Sequence, residues 1–359
     1  MLKRAICAIA CAAVIAAGMP RYSAALELTP ELKQVVDAAR SEGKLVIESP
    51  PAFMGGGDGV KAAADWMKRQ FDLSIAVAWT PNPSTRVVIA KVYTELGAGQ
   101  KASTDAYMAS AEQIQPMLDK GVFRQVSWPQ LMPGRITPEI VESDGRALRI
   151  VTRLPGILYN KQVLPQVADI HSMYDLLTPE FSGKFATTPF LAAFDGFVEH
   201  EGYEKSVDYV KKLGTQISGL VECGSGERIA SGEVPALALD CAGTEQYQDR
   251  FKNVLGLRIV PDAALRRYQY LTIPVNAPDP DVAILFGLYL SSEEGQAANR
   301  ARRDGDLDSY PDSSQRQMVA DIESHGNPFT NITLEWTAQH KEVADQLRSL
   351  IKIIESGRK

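Results

Sequence analysis

Histidine and cysteine are scarce in this chain, with four of each among 359 residues. The histidines, His171, His200, His325 and His340, stand far apart, with no H-E-x-x-H and no Cys/His cluster. That spacing leaves them to surface roles and argues against a zinc centre. No G-x-x-x-x-G-K-[ST] occurs, and the glycines of Gly55-Gly56-Gly57-Asp58-Gly59 miss the G-x-G-x-x-G register. Trp79-Thr80-Pro81 stands where a ribose-binding acid would follow the second strand. Together these absences weigh against nucleotide binding. Gly224-Ser225-Gly226 lacks the spacing of a nucleophile elbow, and the carboxylates show no pattern suited to acid/base work. The chain is therefore not expected to be an enzyme or to hold a cofactor. Past residue 25 no run is long and apolar enough to span a bilayer.

What is present begins with an export signal. Met1-Leu2-Lys3-Arg4 is basic, Ala5 to Ala17 is apolar, and Ser23-Ala24-Ala25 ends in small residues. This reads as a signal peptide over residues 1–25, cleaved near Ala25. Cys11 lies too close to Arg4 to suit a lipoprotein site. Cleavage removes Lys3, Arg4 and Arg21 and no acid, taking the formal charge from −6 to −9. So acidic a protein is a poor partner for nucleic acid or an anionic membrane surface. It retains only Cys223 and Cys241, which in an oxidising compartment either form a disulfide or remain two buried thiols.

The first half of the remaining chain alternates helix and strand. Thr29-Pro30 is an N-cap followed by proline, Leu32, Val35, Val36 and Ala39 form a stripe, and Gly43 ends the helix. A strand is expected over 44–48, a helix over 60–71, a strand over 73–79, a helix from Ser84 to Gly97 and a strand over 105–108. Ser110-Ala111-Glu112-Gln113 has the form of a capping box. Such alternation implies parallel βαβ units with right-handed crossovers.

Ligands in open α/β sheets sit beyond the carboxyl ends of the strands. Those ends lead into helix N-termini, whose free N–H groups favour an anion or a polar oxygen. Gly56, Gly57, Ser84, Thr85 and Ser110 are thus candidate contacts, with simple capping as the competing role of each serine.

After Gly121 the rhythm breaks. Residues 128–138 are rich in proline and are expected to carry the first crossing between two halves. Asp144-Gly145 reads as a hairpin turn. Arg149 to Asn160 holds two apolar runs, Ile150-Val151 and Ile157-Leu158, separated by a Pro155-Gly156 break, and is expected to be an early core element of the second half, near the seam between the two halves. If its strand is regular, Arg149 and Arg153 share a face, and arginine near a cleft suits a carboxylate or phosphate. A solvated face or a structural ion pair is the alternative. Further strands are expected over 185–188, 217–221, 234–239 and 257–260, and a return to the first half over 268–275. An amphipathic helix over 337–354 closes the chain.

The chain resembles the periplasmic solute-binding proteins of ABC importers, in the branch that includes iron, thiamine and polyamine binders. The resemblance rests on residues spread over most of the chain: Ala38-Ala39-Arg40-Ser41-Glu42-Gly43-Lys44-Leu45-Val46-Ile47, Ser103-Thr104-Asp105-Ala106-Tyr107, Lys120-Gly121-Val122-Phe123, Gly156-Ile157-Leu158-Tyr159-Asn160, Leu176 to Lys184, and Ala230-Ser231-Gly232-Glu233-Val234-Pro235. It implies a type II, two-lobe α/β periplasmic-binding-protein fold with the ligand cleft between the lobes. The lobes would comprise residues 26–127 plus 268–310 and residues 128–267 plus 311–359. It further implies a periplasmic monomer that closes on a small-molecule solute and docks to a membrane permease. Ferric members carry adjacent tyrosines beyond the Gly-Glu, where this chain has Asp240-Cys241-Ala242-Gly243 and a lone Tyr247. That favours an organic or phosphorylated anion held by Arg86, Arg149 and Arg153 and closed over by Thr188, Phe190 and Asp240. A ferric-ion-binding protein and the ligand module of a periplasmic sensor are the alternatives.

Overall fold

The structure is a computed structural model that describes residues 28–51, 53–240, 251–302, 305–324, 326 and 329–356. The expected signal peptide, Cys241 and the segment through Tyr247 lie outside the described residues, so the pairing of Cys223 with Cys241 does too.

Helix α1 (Pro30–Glu42) starts and stops where its sequence dictates. Thr29 Oγ1 accepts from Leu32 N, and Gly43 adopts the left-handed conformation that a side chain would resist. Strand β1 (Lys44–Ser49) pairs in parallel with β2 (Ala76–Pro81). Helix α2 (Gly56–Phe71) connects them, so Gly56 and Gly57 form its first turn rather than a loop before it. Helix α3 (Thr85–Gly97) leads on to β3 (Tyr107–Ser110), and Ile47 bridges to Ala106 beside β3. From there the layer continues antiparallel through β11 (Leu265–Thr272), β5 (Ala147–Arg153) and β4 (Val141–Glu142). On it pack α1, α2 and α9 (Pro280–Leu290), whose residues 282–290 are buried on every side, as expected of a helix inside a core.

The expected crossing at 128–138 is not where the chain leaves this core. Trp128 opens α5 (Trp128–Leu131) and, with Leu131, Ile136 and Ile140, joins the cluster of Leu32, Val60, Met67 and Phe286. Its Nε1 donates to the Gly145 carbonyl at 2.9 Å. Each such large apolar side chain contributes roughly 1.5–3 kcal/mol on burial, which outweighs the breaks that the prolines introduce.

The crossing falls at Leu154-Pro155. Before it β5 belongs to the first sheet; after it β6 (Gly156–Asn160) sits inside a second. The stretch Arg149–Asn160 is therefore the bridge between lobes rather than an element of one. In the second sheet β6 lies between β10 (Leu255–Arg258) and β9 (Ala236–Asp240), both antiparallel to it. Strand β7 (Phe185–Thr187) runs parallel to β9 and to β8 (Gly219–Leu220). Gly156 is required at the seam, because a Cβ there would meet Leu257 Cδ1 at 2.7 Å and the Arg258 carbonyl at 3.0 Å.

Helices α6 (Phe194–Glu201), α7 (Tyr203–Gln216) and the terminal α13 (Lys341–Ser356) cover this second sheet through Phe194, Phe197, Tyr209, Leu213, Leu350 and Ile354. Residues 165–169 and 173–177 form two 3-10 turns. Near the C-terminus β12 (Thr330–Ile332) pairs in parallel with β11. The tail thus touches the hinge sheet, after which α12 (Leu334–Gln339) packs on residues 111–118 and α13 on α6 and α7 of the second lobe. Leu154 at the crossing packs with Val319 of α11 (Ser314–Ser324), Ala264 and Phe329.

Candidate interlobe site

At the carboxyl end of β1 the polypeptide is tightly folded around Trp79. A Cβ on Gly56 would lie 2.8 Å from the Pro51 carbonyl and 3.2 Å from the indole, and one on Gly57 would lie 3.1 Å from it. Trp79 Nε1 donates to Ser49 Oγ at 3.1 Å. These glycines make room for an aromatic ring. At the end of β2, Asn82 Oδ1 accepts from Ser84 N at 3.0 Å and Asn82 Nδ2 donates to Glu48 at 2.8 Å. Ser84 Oγ caps α3 through Val87 N at 3.4 Å. Thr85 Oγ1 donates to Gln113 at 2.9 Å, and Arg86 is exposed.

The capping box expected at Ser110 does not form. Ser110 is the N-cap of α4 (Ala111–Leu118) but makes no side-chain cap bond. Gln113 is engaged by Thr85, and the Ser110 hydroxyl supports the Glu112 carboxylate instead.

In the second lobe Thr188 is fully buried and its Oγ1 accepts from Ala192 N at 2.6 Å. Asp240 is buried, with Oδ1 accepting from Gly224 N at 3.2 Å. Both build turns. Phe190 stands at the surface with 45% of its area exposed.

The two lobes meet at Arg267. Its Nη2 donates to Asp195 Oδ2 at 2.5 Å and also to Glu112 Oε1. Glu112 lies in the first turn of α4, just past β3 of the first lobe. Asp195 lies in the first turn of α6, eight residues after β7 of the second ends at Thr187. One guanidinium thus bridges a helix start from each lobe, and those helix starts face each other. Burial opposes ionisation of Glu112, but Arg267, the Ser110 hydroxyl, the local backbone and Arg86 hold its carboxyl below the usual range. Burial pushes Asp195 above that range against the pull of Arg267, and the neighbouring Glu112 charge adds to the rise. The cluster is incompletely satisfied: Asp195 Oδ1, Arg267 Nε and, at the end of β7, Thr187 Oγ1 are buried without a hydrogen-bond partner.

Four of the seven described non-glycine residues with positive φ lie near the ends of β1, β7 and β9, the others being Asp72, Ser143 and Asp144. Met54 follows β1, Leu191 and Ala193 follow β7, and Leu239 closes β9, all with positive φ. Non-glycine residues hold such angles at a cost of about 1–3 kcal/mol each and cluster at ligand sites.

Arg149 and Arg153 do not share a face. The pairing of β5 with β11 shifts between Gln269 and Tyr270, with Val151 opposite Gln269 and Arg149 opposite Tyr270. The skipped residue, Ile150, is a bulge, and it reverses the alternation. Arg149 turns to Glu142 at 2.5 Å and stacks 4.0 Å over the Tyr268 ring. Glu142 also accepts from the Tyr270 hydroxyl at 2.8 Å and from Leu334 N at 2.9 Å. Arg149 is therefore a structural ion pair. Arg153 lies directly opposite Arg267 on the other face, buried, with its Nη1 3.3 Å from the Cβ position of Gly305.

Sequence reasoning missed Glu112, Asp195 and Arg267. Arg267 is 155 residues from Glu112 and 72 from Asp195, so no local motif links them. The available signal was an acid two residues past a strand end and an arginine in the returning strand.

Among the described residues no group of three or more His, Cys, Asp or Glu side chains is placed to hold a metal ion. Nor is any helix long and apolar enough to cross a membrane. The segment weighed against a tyrosinate ferric site, 241–247, lies outside the described residues.

No protein-family profile and no curated protein matches the chain. Solved structures do. The periplasmic binding protein AfuA from Actinobacillus pleuropneumoniae, with exogenous fructose-6-phosphate bound, is 17% identical over 86% of this chain and 99% of its own, with a TM-score of 0.65. Iron-bound HitA from Pseudomonas aeruginosa is 17% identical over 87% and 99%, with a TM-score of 0.63. The spermidine/putrescine ABC transporter substrate-binding protein PotD from Streptococcus pneumoniae is 15% identical over 86% and 99%, with a TM-score of 0.62. At these identities the likeness establishes the two-lobe periplasmic-binding-protein fold.

Proposed function

We propose that this protein is the solute-binding component of an ABC uptake transporter. On this reading it is exported to the periplasm as a monomer, closes its lobes on a small polar solute and delivers it to a membrane permease. The observation that carries the reading is the Arg267 bridge, because it brings a helix start of each lobe together on one side chain. Neighbours of the same fold bind solutes as different as fructose-6-phosphate and iron, so the fold leaves the solute class to local chemistry.

That chemistry favours an organic or phosphorylated anion. The N-termini of α2, α3, α4 and α6 follow strand ends and present N–H groups and positive dipole ends. Arg86 and Arg153 supply cationic charge nearby, and Ser84, Thr85, Ser110 and the backbone at Gly56 and Gly57 offer polar contacts. Thr188, Phe190 and Asp240 frame the second lobe's side. Arg149, spent on Glu142, is withdrawn from this set.

A thermal-shift screen tests the reading, using organic acids, sugar phosphates, phosphonates, amino acids, polyamines, thiamine derivatives and Fe(III) citrate. A ligand at a hundred times its dissociation constant adds about 2.7 kcal/mol of stability, a shift of roughly 5 °C for a chain of this size. A saturable shift with anions is expected. A response to Fe(III) citrate or polyamines alone would overturn the anion assignment, and turnover of the bound compound would overturn the transport role. Absence of any shift after unfolding, dialysis and refolding would contradict solute binding.

A further inference from the structure

We infer that Arg267 is a positioning residue of the solute cleft: it clasps the first turns of α4 and α6 across the lobe boundary and sets how far the ligand-free cleft stands open. The inference rests on the solute-cleft reading above, and it adds a residue and a role that sequence motifs did not provide. Its warrant is the distribution of partners. Arg267 sits on β11, a strand that belongs to the hinge sheet. Glu112 follows β3 in that sheet, while Asp195 follows β7 in the other. Arg266, on the same strand, pairs instead with Asp308 and Glu323, neither of which opens α4 or α6. Arg149 pairs only within the first sheet through Glu142, and Arg300 pairs with Asp306 six residues away.

The bridge is also suited to letting go. A guanidinium can serve two carboxylates at once, with charge-assisted bonds that are short and directional. Here Arg267 Nε and Asp195 Oδ1 remain unpaired in the interior, so the cluster uses less than its full bonding capacity. Separation of the lobes would break the Asp195 bond and leave the Glu112 bond in place, since only Asp195 moves with the second sheet. The broken bond would expose Asp195 to water, which offsets part of its loss.

Asp195, Glu112 and Arg267 line one end of a cavity of about 280 Å³ bounded by α4, α12 and α13, with Trp336, Val343 and Leu347 among its walls. Lys341 of α13 reaches Asp119 of α4 at 3.4 Å, and His340 faces Glu199 of α6 at 3.5 Å. The Lys341–Asp119 pair is exposed to solvent and contributes little holding force. Arg267, partly buried and bonded to both Glu112 and the buried Asp195, is the described side chain that ties the two helix starts directly.

The test uses the ligand-free full chain, so it does not depend on which solute binds. Asp195→Asn removes the charge that ties Arg267 to the second lobe while leaving its shape. A triple variant, Glu112→Gln with Asp195→Asn and Arg267→Met, removes all three charges together, an exchange that buried ion clusters often tolerate. X-ray scattering should show a larger radius of gyration for both variants than for the parent. Hydrogen exchange should accelerate about tenfold or more at the first turn of α6, the factor expected for loss of a charged hydrogen bond, with α1 and the middle of α13 unchanged. Arg267→Lys, which cannot fork between two carboxylates, should fall between parent and triple variant. An unchanged radius of gyration together with unchanged exchange at α6 in the folded triple variant would overturn the inference while leaving solute binding intact. Uniformly faster exchange across α1, α6 and α13 would also overturn it, by reducing the cluster to a general stabiliser.

Discussion

The two faces of the hinge sheet carry the same residue type in opposite circumstances. On one face Arg149 is closed in by Glu142, Tyr268 and Tyr270, and Glu142 spends its second oxygen on Leu334 N. On the other face Arg267 bridges two lobes, and atoms of its cluster are left without partners. The first arrangement is satisfied and local, which is what a structural ion pair requires. The second is unsatisfied and spans a boundary that can move. A one-residue bulge separates the two, by sending Arg149 away from Arg153 and Arg267. Burial and charge alone would have treated the faces alike; partner count and partner location distinguish them.

The contrast can be broken most forcefully on the satisfied face. Glu142→Ala strands Arg149 in the interior and should cost about 3–5 kcal/mol, read by urea denaturation, with solute affinity unchanged. A large affinity loss at unchanged stability would reverse the roles of the two faces.

Next in size is a pH effect within the first lobe. Asp105 is fully bonded, accepting from Val46 N at 2.6 Å and Asp279 N at 2.8 Å. Burial nonetheless raises its pKa from 3.8 to about 7. Because the folded value is the higher one, its contribution is complete at pH below about 4 and is lost as pH rises through about 7. The loss is on the order of 4 kcal/mol at most. Asp105→Asn should flatten this part of the stability profile between pH 5 and 8, and a slope equal to the parent's would show that another group is responsible.

On the Arg267 face, Arg153→Ala should weaken anion affinity by at least about tenfold, the value of a charge-assisted bond. Its melting temperature should fall less than that of Glu142→Ala. Equal affinity by titration calorimetry would remove Arg153 from the contact set.

The smallest effect separates capping from binding at Ser84. Ser84→Ala should cost about 1 kcal/mol and Ser84→Gly only a few tenths, since glycine is tolerated at N-caps. If the hydroxyl touches solute, both variants lose affinity equally despite their different stabilities.

Much of the fold was legible because its signals are local. The Thr29 cap, Gly43 stop and alternation of β1, α2, β2 and α3 each arise from neighbouring residues. The lobe crossing was misplaced because residues 128–138 carry loop-forming prolines, while Trp128 and Ile136 are retained by contacts with distant helices that no local pattern records. The candidate contacts were drawn from strand ends and helix starts, and several of them have structural partners. Thr188 and Asp240 hold turns, and Gly56 and Gly57 accommodate Trp79. The bulge at Ile150 and the Arg267 cluster depend on register and on long-range pairing, neither of which a single sequence specifies.

The most direct test of the interlobe cleft is X-ray scattering of the protein with and without a saturating anion drawn from the thermal-shift screen. A cleft that closes on its solute predicts a smaller radius of gyration in the bound protein, with contraction lost in Arg153→Ala at the same anion concentration. An unchanged radius of gyration at saturation would contradict closure of the two lobes as the mode of capture.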